Sequence, residues 1–140
     1  MRVYQLQRQA TDRDIDSNGH VNNIVYVQWM QDVAIAHSDA VGCTAATTAA
    51  GCTWVARSHQ IEYLRPAFAG DRILVQSWIV DATRKSSSTR RYRMVRESDS
   101  AVLAKGETLW VFVDVQTGRP RSIPMEVIGC FEVVPADEES

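Results

Sequence analysis

No stretch of this chain approaches the roughly 18 consecutive apolar residues that a membrane-crossing helix requires, and the N-terminal MRVYQLQRQ contains no apolar signal-peptide core. Positive charge is not in surplus either. The 15 Lys and Arg stand against 17 Asp and Glu, and the net charge of −2 argues against general nucleic-acid affinity. Cysteine is scarce, odd in number and without a Cys-x-x-Cys pair. With no export signal, Cys43, Cys52 and Cys130 read as reduced, mostly buried thiols of a cytoplasmic protein. A Gly-rich phosphate loop, an internal repeat and a domain-sized linker are also missing. What is there is a chain of 140 residues, 45% hydrophobic and 23% charged, ordinary for one globular domain that buries a core without disulfides or metal.

The hydrophobic period divides the chain. Residues Val3 to Gln9 alternate loosely and predict a short strand, followed by a polar loop from Asp12 to Asn23. From Asn22 to Val41 the pattern turns helical. Val25, Trp29, Val33, Ala36 and Ala40 recur at spacings that share one face, widened by Met30, Ala34 and Ile35. Asn22 suits the N-cap, Val21 and Tyr26 suit a hydrophobic staple across it, and Gly42 suits the C′ stop. The β-branched Ile24, Val25 and Val27 are poor helix formers, so packing must override propensity there. After a small-residue stretch from Cys43 to Gly51, period two predicts strands over Trp54–Leu64, Arg72–Ala82, Thr89–Glu97 and Val102–Val115. A short helix or coil covers Met125–Phe131, and Pro135–Ser140 reads as a frayed acidic tail. One long helix, a four-strand antiparallel meander and an extra N-terminal strand make an α+β fold.

The segment from Asp14 to Asn23 concentrates the chemistry. Two carboxylates, three carboxamides and an imidazole are crowded directly before a helix start, an arrangement suited to work on a carbonyl. Asp14, Asp16, Asn18 and Gly19 also match positions one, three, five and six of a calcium loop. Position twelve, however, is Val25 where a bidentate glutamate belongs, so no metal site is expected.

The pattern Asp-x-Asp-x-x-Gly-His-Val-Asn-Asn-x-x-Tyr, from Asp14 to Tyr26, resembles the hotdog-fold thioesterases of the 4-hydroxybenzoyl-CoA thioesterase type. Two further segments are similar to that family: Ile61-Glu62-Tyr63-Leu64-Arg65-Pro66-Ala67 through Gly70-Asp71, and Thr117-Gly118-Arg119-Pro120 through Ile123-Pro124. The resemblance implies a hotdog fold over residues 1–134, with one long central helix wrapped by a five-stranded antiparallel sheet and residues 135–140 as the tail. It implies Asp16 as the catalytic group and Asp14 as structural. The segment is also similar to plant acyl-carrier-protein thioesterases, where Asp16, Asn18 and His20 match the three acting positions. That branch adds a glutamate where this chain has Pro66. The resemblance further implies a homodimer or homotetramer with the active site at the subunit interface.

A thioester carbonyl needs a nucleophile or activated water, together with donors aimed at the developing oxyanion. The first N–H groups of a helix point outward at the positive end of the dipole, and a backbone N–H near Asn23 is the candidate donor. Asp16 then attacks the carbonyl or activates water as a general base. His20 and Asn18 are placed to orient water or the carboxylate. The structural alternatives are an Asx-turn brace for Asp16, caps for Asn22 and Asn23, and a packing role for His20. Tyr26, Trp29 and Met30 are core residues first and acyl-pocket lining second. His37 and His59 carry no signal. The run Arg84, Lys85, Arg90, Arg91, Arg93 and Arg96 is either a solvated strand face or a basic rim for coenzyme A phosphates or an acidic carrier protein. Arg91 and Arg93, which share a face, are the substrate-binding candidates. The expected activity is hydrolysis of an acyl-CoA, aryl or fatty, to the free acid and thiol. Coenzyme A enters only as part of the substrate, and no cofactor, nucleic acid or membrane partner is involved. An acyl-carrier-protein thioesterase and a non-catalytic acyl-binding protein are the rival readings.

Overall fold

The computed structural model describes residues 2–81, 85–135, 138 and 139. Ala82 of the third predicted strand, Arg84 of the basic run, and Ala136, Asp137 and Ser140 of the tail lie outside the described residues. The strands are β1 (Tyr4–Gln9), β2 (Cys52–Tyr63), β3 (Arg72–Asp81), β4 (Ser87–Arg96) and β5 (Val102–Asp114). The helices are α1 (Asn23–Ala40), α2 (Cys43–Ala49) and α3 (Met125–Ile128), with a 3-10 turn at Asp12–Asp14. No helix among the described residues is long and apolar enough to cross a membrane.

All five strands form one antiparallel sheet in the order β1-β3-β4-β5-β2. This corrects the four-strand meander. Only β3, β4 and β5 pair in sequence order, while β2 pairs with β5 along its whole length and β1 takes the free side of β3. Turn-forming residues mark where a strand reverses, but they do not say which edge a strand joins after a longer connection such as Leu64–Asp71. β2 is therefore an edge strand of 12 residues, and most of its side chains are exposed.

Helix α1 begins and ends as its capping residues dictate. The Asn22 side chain accepts from the Ile24 N–H at 3.1 Å, and Gly42 takes the left-handed conformation just past the C-terminus (φ +82°). The buried stripe is Tyr26, Trp29, Met30, Val33, Ala34 and His37. It packs on Ile73 and Val75 of β3, Tyr92 and Met94 of β4, and Leu103 and Ala104 of β5. Ile35 and Ala40, which the spacing put on the buried face, are exposed, Ile35 by 57%. The stripe is turned toward His37, a residue without a sequence signal that is 1% exposed. A second, smaller cluster (Cys43, Cys52, Phe112, Ile123 and Val127) joins α2, β2, β5 and α3 beyond the far end of α1. Cys43 and Cys52 are buried, Cys130 is half-buried, and all three thiols are free. The described part of the tail is not frayed. Glu139 accepts from the Trp78 indole at 2.7 Å and pairs with Arg91.

Helix and sheet are in close contact at Gly106 of β5, where an added Cβ would lie 3.0 Å from Met30 Sδ and 3.4 Å from the Gln60 carbonyl oxygen. Met30 is fully buried and has nowhere to retreat. Gly106→Val should therefore cost about 1–3 kcal/mol by overpacking, read as a lower urea midpoint at unchanged slope. Asn22→Ala removes the cap of α1 and should cost about 1 kcal/mol, read in the same experiment.

Candidate active site

The polar loop before α1 is a tight reversal closed by its own backbone. Ile15 and Val21 form an isolated bridge, the Asp16 N–H donates to the His20 carbonyl at 2.8 Å, and the Gly19 N–H donates to the Asp16 carbonyl at 3.0 Å. Gly19 sits at φ +79°, a conformation that side chains with a Cβ adopt at a cost. Asp14 braces the loop: its Oδ2 accepts from the Thr11 N–H and hydroxyl, and its carbonyl accepts from Asn22 N–H at 2.7 Å. Asp16 uses only Oδ1 on the loop, accepting from the N–H groups of Asn18 (2.9 Å) and His20 (3.3 Å). Among the described residues, Oδ2 of this half-buried carboxylate has no partner.

The start of α1 is equally selective. The Asn22 side chain takes the Ile24 N–H and the Asn22 carbonyl takes the Val25 N–H at 3.0 Å, which leaves the Asn23 N–H without a partner among the described residues. The Asn23 carbonyl accepts from the Tyr63 hydroxyl at 2.9 Å, tying the first turn of α1 to the end of β2. Tyr26 lies one turn further in, 2% exposed and edge-on to Trp29 and Tyr63. Burial pushes its phenol above the ordinary value, opposed chiefly by a hydrogen bond from the Ala67 backbone.

Asp16, Asn18, His20, Asn23 and Tyr26 line one cleft of about 290 Å³. All five candidates from the loop and helix start are thus brought together. The opposite wall comes from Tyr63, Leu64, Arg65 and Pro66, to which the sequence assigned no role in the site. Their signal lay in the Ile61–Asp71 segment, read there only as resemblance. His20 meets the Phe68 ring edge-to-face at 5.4 Å. The turn carrying Phe68 is held by Arg96, which donates to the Pro66 carbonyl and pairs with Asp71 and Asp99. Asp71 also accepts from the Phe68 N–H. The Arg96 guanidinium, foremost, holds the Asp99 carboxyl below its usual range.

The described residues of the basic run do not line this cleft. Arg91 and Arg93 share the sheet face turned away from α1. Arg91 is engaged by Glu107 and Glu139, while Arg93 donates to Gln76 and lies over the Trp78 ring. Arg96 is the turn clamp. Arg90 is 3% exposed, which takes it out of any solvated face or rim. The one cation lining the cleft among the described residues is Arg65. No group of His, Cys, Asp and Glu among the described residues is arranged to hold a metal ion.

The sequence profile of the Thioesterase-like superfamily matches residues 10–131. An L-carnitine dehydrogenase/betainyl-CoA thioesterase from Agrobacterium fabrum is 26% identical over 125 residues, 89% of this chain, which spans only 25% of that relative's length. A 1,4-dihydroxy-2-naphthoyl-CoA thioesterase from Synechocystis superposes with a TM-score of 0.80 at 18% identity, covering 91% of this chain and 94% of its own. A 12:0-ACP thioesterase from Umbellularia californica superposes with a TM-score of 0.82 at 21% identity, covering 99% of this chain and 55% of its own. With the five-stranded sheet, the packed helix and a profile match that spans most of its length, the chain belongs to the thioesterase-like superfamily and has its hotdog fold.

Proposed function

We propose that this protein hydrolyses acyl-CoA thioesters, with Asp16 as the reacting carboxylate and the Asn23 N–H as oxyanion donor. The observation that carries the reading is the pairing, in one cleft, of a carboxylate oxygen and a helix-terminal N–H that both lack partners among the described residues. A free N–H at the positive end of α1 stabilises an alkoxide as it forms. Attack by Asp16 Oδ2 on the thioester carbonyl expels the coenzyme A thiolate, which takes up a proton, and leaves an anhydride for water to open. As a general base, the same oxygen takes the proton of a water that attacks directly. Asn18 and His20 orient the water or the carboxylate. No cofactor takes part, and coenzyme A is present only as the carrier of the acyl group.

The assembly belongs to the same proposal. The exposed 12-residue edge β2 presents unpaired backbone groups, which proteins cover by association. Pairing of two copies there makes a homodimer with α1 as the central helix of each half and the cleft at the subunit boundary. In that setting Arg65 of the cleft wall can meet coenzyme A phosphates, whereas Arg91 and Arg93 are engaged on the other sheet face. The free thiols suit a reducing compartment, and we place the enzyme in the cytoplasm.

A carrier-protein thioesterase is the second reading, favoured by Asn18 and His20 lining the cleft beside Asp16. Against it, the position of that branch's glutamate is Pro66, in the cleft wall but without an acid group.

Asp16→Asn tests the proposal cleanly because the carboxamide oxygen can still accept from Asn18 and His20, so the loop keeps its brace. Thiol release from a panel of aryl- and fatty-acyl-CoAs should fall by about a hundredfold or more with the melting temperature nearly unchanged. Undiminished turnover in the variant would overturn the role of Asp16. Turnover on the same acyl chain only when a carrier protein bears it would select the second reading, and tight acyl-CoA binding without hydrolysis would select a binding protein.

A further inference from the structure

The larger cavity of the molecule is not the Asp16 cleft. It occupies about 360 Å³ between the C-terminal half of α1, α2, the start of β2 and α3, within the range of small-molecule sites. Its walls are largely apolar, with Trp54, Trp110, Ile123, Val127 and Phe131 among them. Arg90 lines it too, though only 3% of that residue is exposed.

The surroundings of Arg90 are unusual for a buried cation. Its Nη1 donates to His37 Nδ1 at 2.9 Å and to Ser77 Oγ at 2.8 Å. Since a guanidinium only donates, Nδ1 must accept, so that nitrogen of His37 carries no proton. The Phe131 ring lies 5.4 Å from the guanidinium carbon. These partners are all neutral. No carboxylate pairs with Arg90 among the described residues, and its Nε and Nη2 hydrogens have no acceptor there. Burial, opposed by Tyr92 and Cys43, lowers its pKa to about 10, so the group is charged at neutral pH. Asp39, the carboxylate among the lining residues, is exposed and accepts from the Thr44 hydroxyl instead. A buried charge kept without a counter-ion is costly, and a ligand that supplies the missing anion recovers that cost.

We infer that this cavity is a binding site for a carboxylate on an apolar body, the carboxylate facing Arg90 and the chain lying against Trp54, Trp110 and Ile35. Two sources supply that chemistry: a free carboxylic acid, or the far end of an acyl thioester that carries a second carboxylate. The second source rests on the thioesterase reading above; the first does not.

Direct binding decides it, read by calorimetry and by quenching of the two lining tryptophans. Octanoate should bind the wild-type protein at least about tenfold more tightly than 1-octanol, and octyltrimethylammonium should bind no better than the alcohol. In Arg90→Met, which replaces an unpaired buried cation with an apolar side chain and should fold, the octanoate preference should vanish while octanol binding stays. Thr48→Trp, an exposed substitution at the cavity mouth, should weaken all three probes and leaves Arg90 intact if Arg90→Met fails to fold. Equal binding of octanoate and octanol to wild type, a preference that survives Arg90→Met, or no binding at all would each overturn the inference. In the hydrolysis arm, a kcat/KM preference for an ω-carboxyacyl-CoA over the plain acyl-CoA of equal length, lost in Arg90→Met, identifies the acyl end. Octanoate binding without that preference identifies a free acid. Because the binding arm requires no turnover, it decides the carboxylate site even if the protein proves to be an inactive hydrolase.

Discussion

An α-helix cannot satisfy its own first backbone N–H groups, and the candidate active site follows from how α1 disposes of them. The Asn22 side chain and carbonyl take the amides of Ile24 and Val25, while the amide of Asn23, a residue that lines the cleft with Tyr63 and Pro66, has no partner among the described residues. The helix start is in turn fixed by the Tyr63 hydroxyl on the Asn23 carbonyl and by the Asn22 amide on the Asp14 carbonyl. Removing either contact would move the Asn23 amide, which has no partner among the described residues. The loop, the helix and the end of β2 are thus parts of one device that holds a partial positive charge beside a carboxylate.

That carboxylate shows how a structural role can engage one oxygen of a side chain and leave the other unengaged among the described residues. The Asx-turn reading of Asp16 is correct for Oδ1, which braces the loop through two backbone amides. The brace fixes the position of Oδ2 without occupying it. A second layer of charge holds the opposite wall, where Arg96 ties the Pro66–Asp71 turn to the Ser98–Ser100 turn and so places Phe68 against His20. Arg96 therefore acts on the site through the shape of its wall and not as a phosphate ligand.

Four arginines of the run that looked uniform in sequence meet different fates within seven residues of β4. Alternation sends Arg90 to the helix side and Arg91 and Arg93 to the other, and Arg96 closes a turn. Alternation was legible. That the helix side offers Arg90 a histidine, a serine and a phenylalanine, and no acid among the described residues, was not, because those partners come from α1, β3 and the segment after α3. The same holds for His37, which looked featureless until a strand laid a guanidinium beneath it. Arg91 looked available until Glu139 of the tail reached it.

By itself the sequence determined the local features: the cap at Asn22, the stop at Gly42, the left-handed turn at Gly19, the strand periods, and the loop that brings Asp16, Asn18 and His20 to the start of a helix. These depend on backbone conformation and on neighbours within a few residues, which is the range over which side-chain chemistry constrains a chain. Tertiary structure alone decided which edge β2 joined, which side of α1 faced the sheet, and which arginines found anions. Each of those depends on contacts between segments far apart in sequence, where several pairings satisfy the same local pattern and only the packing of the whole sheet against α1 selects one.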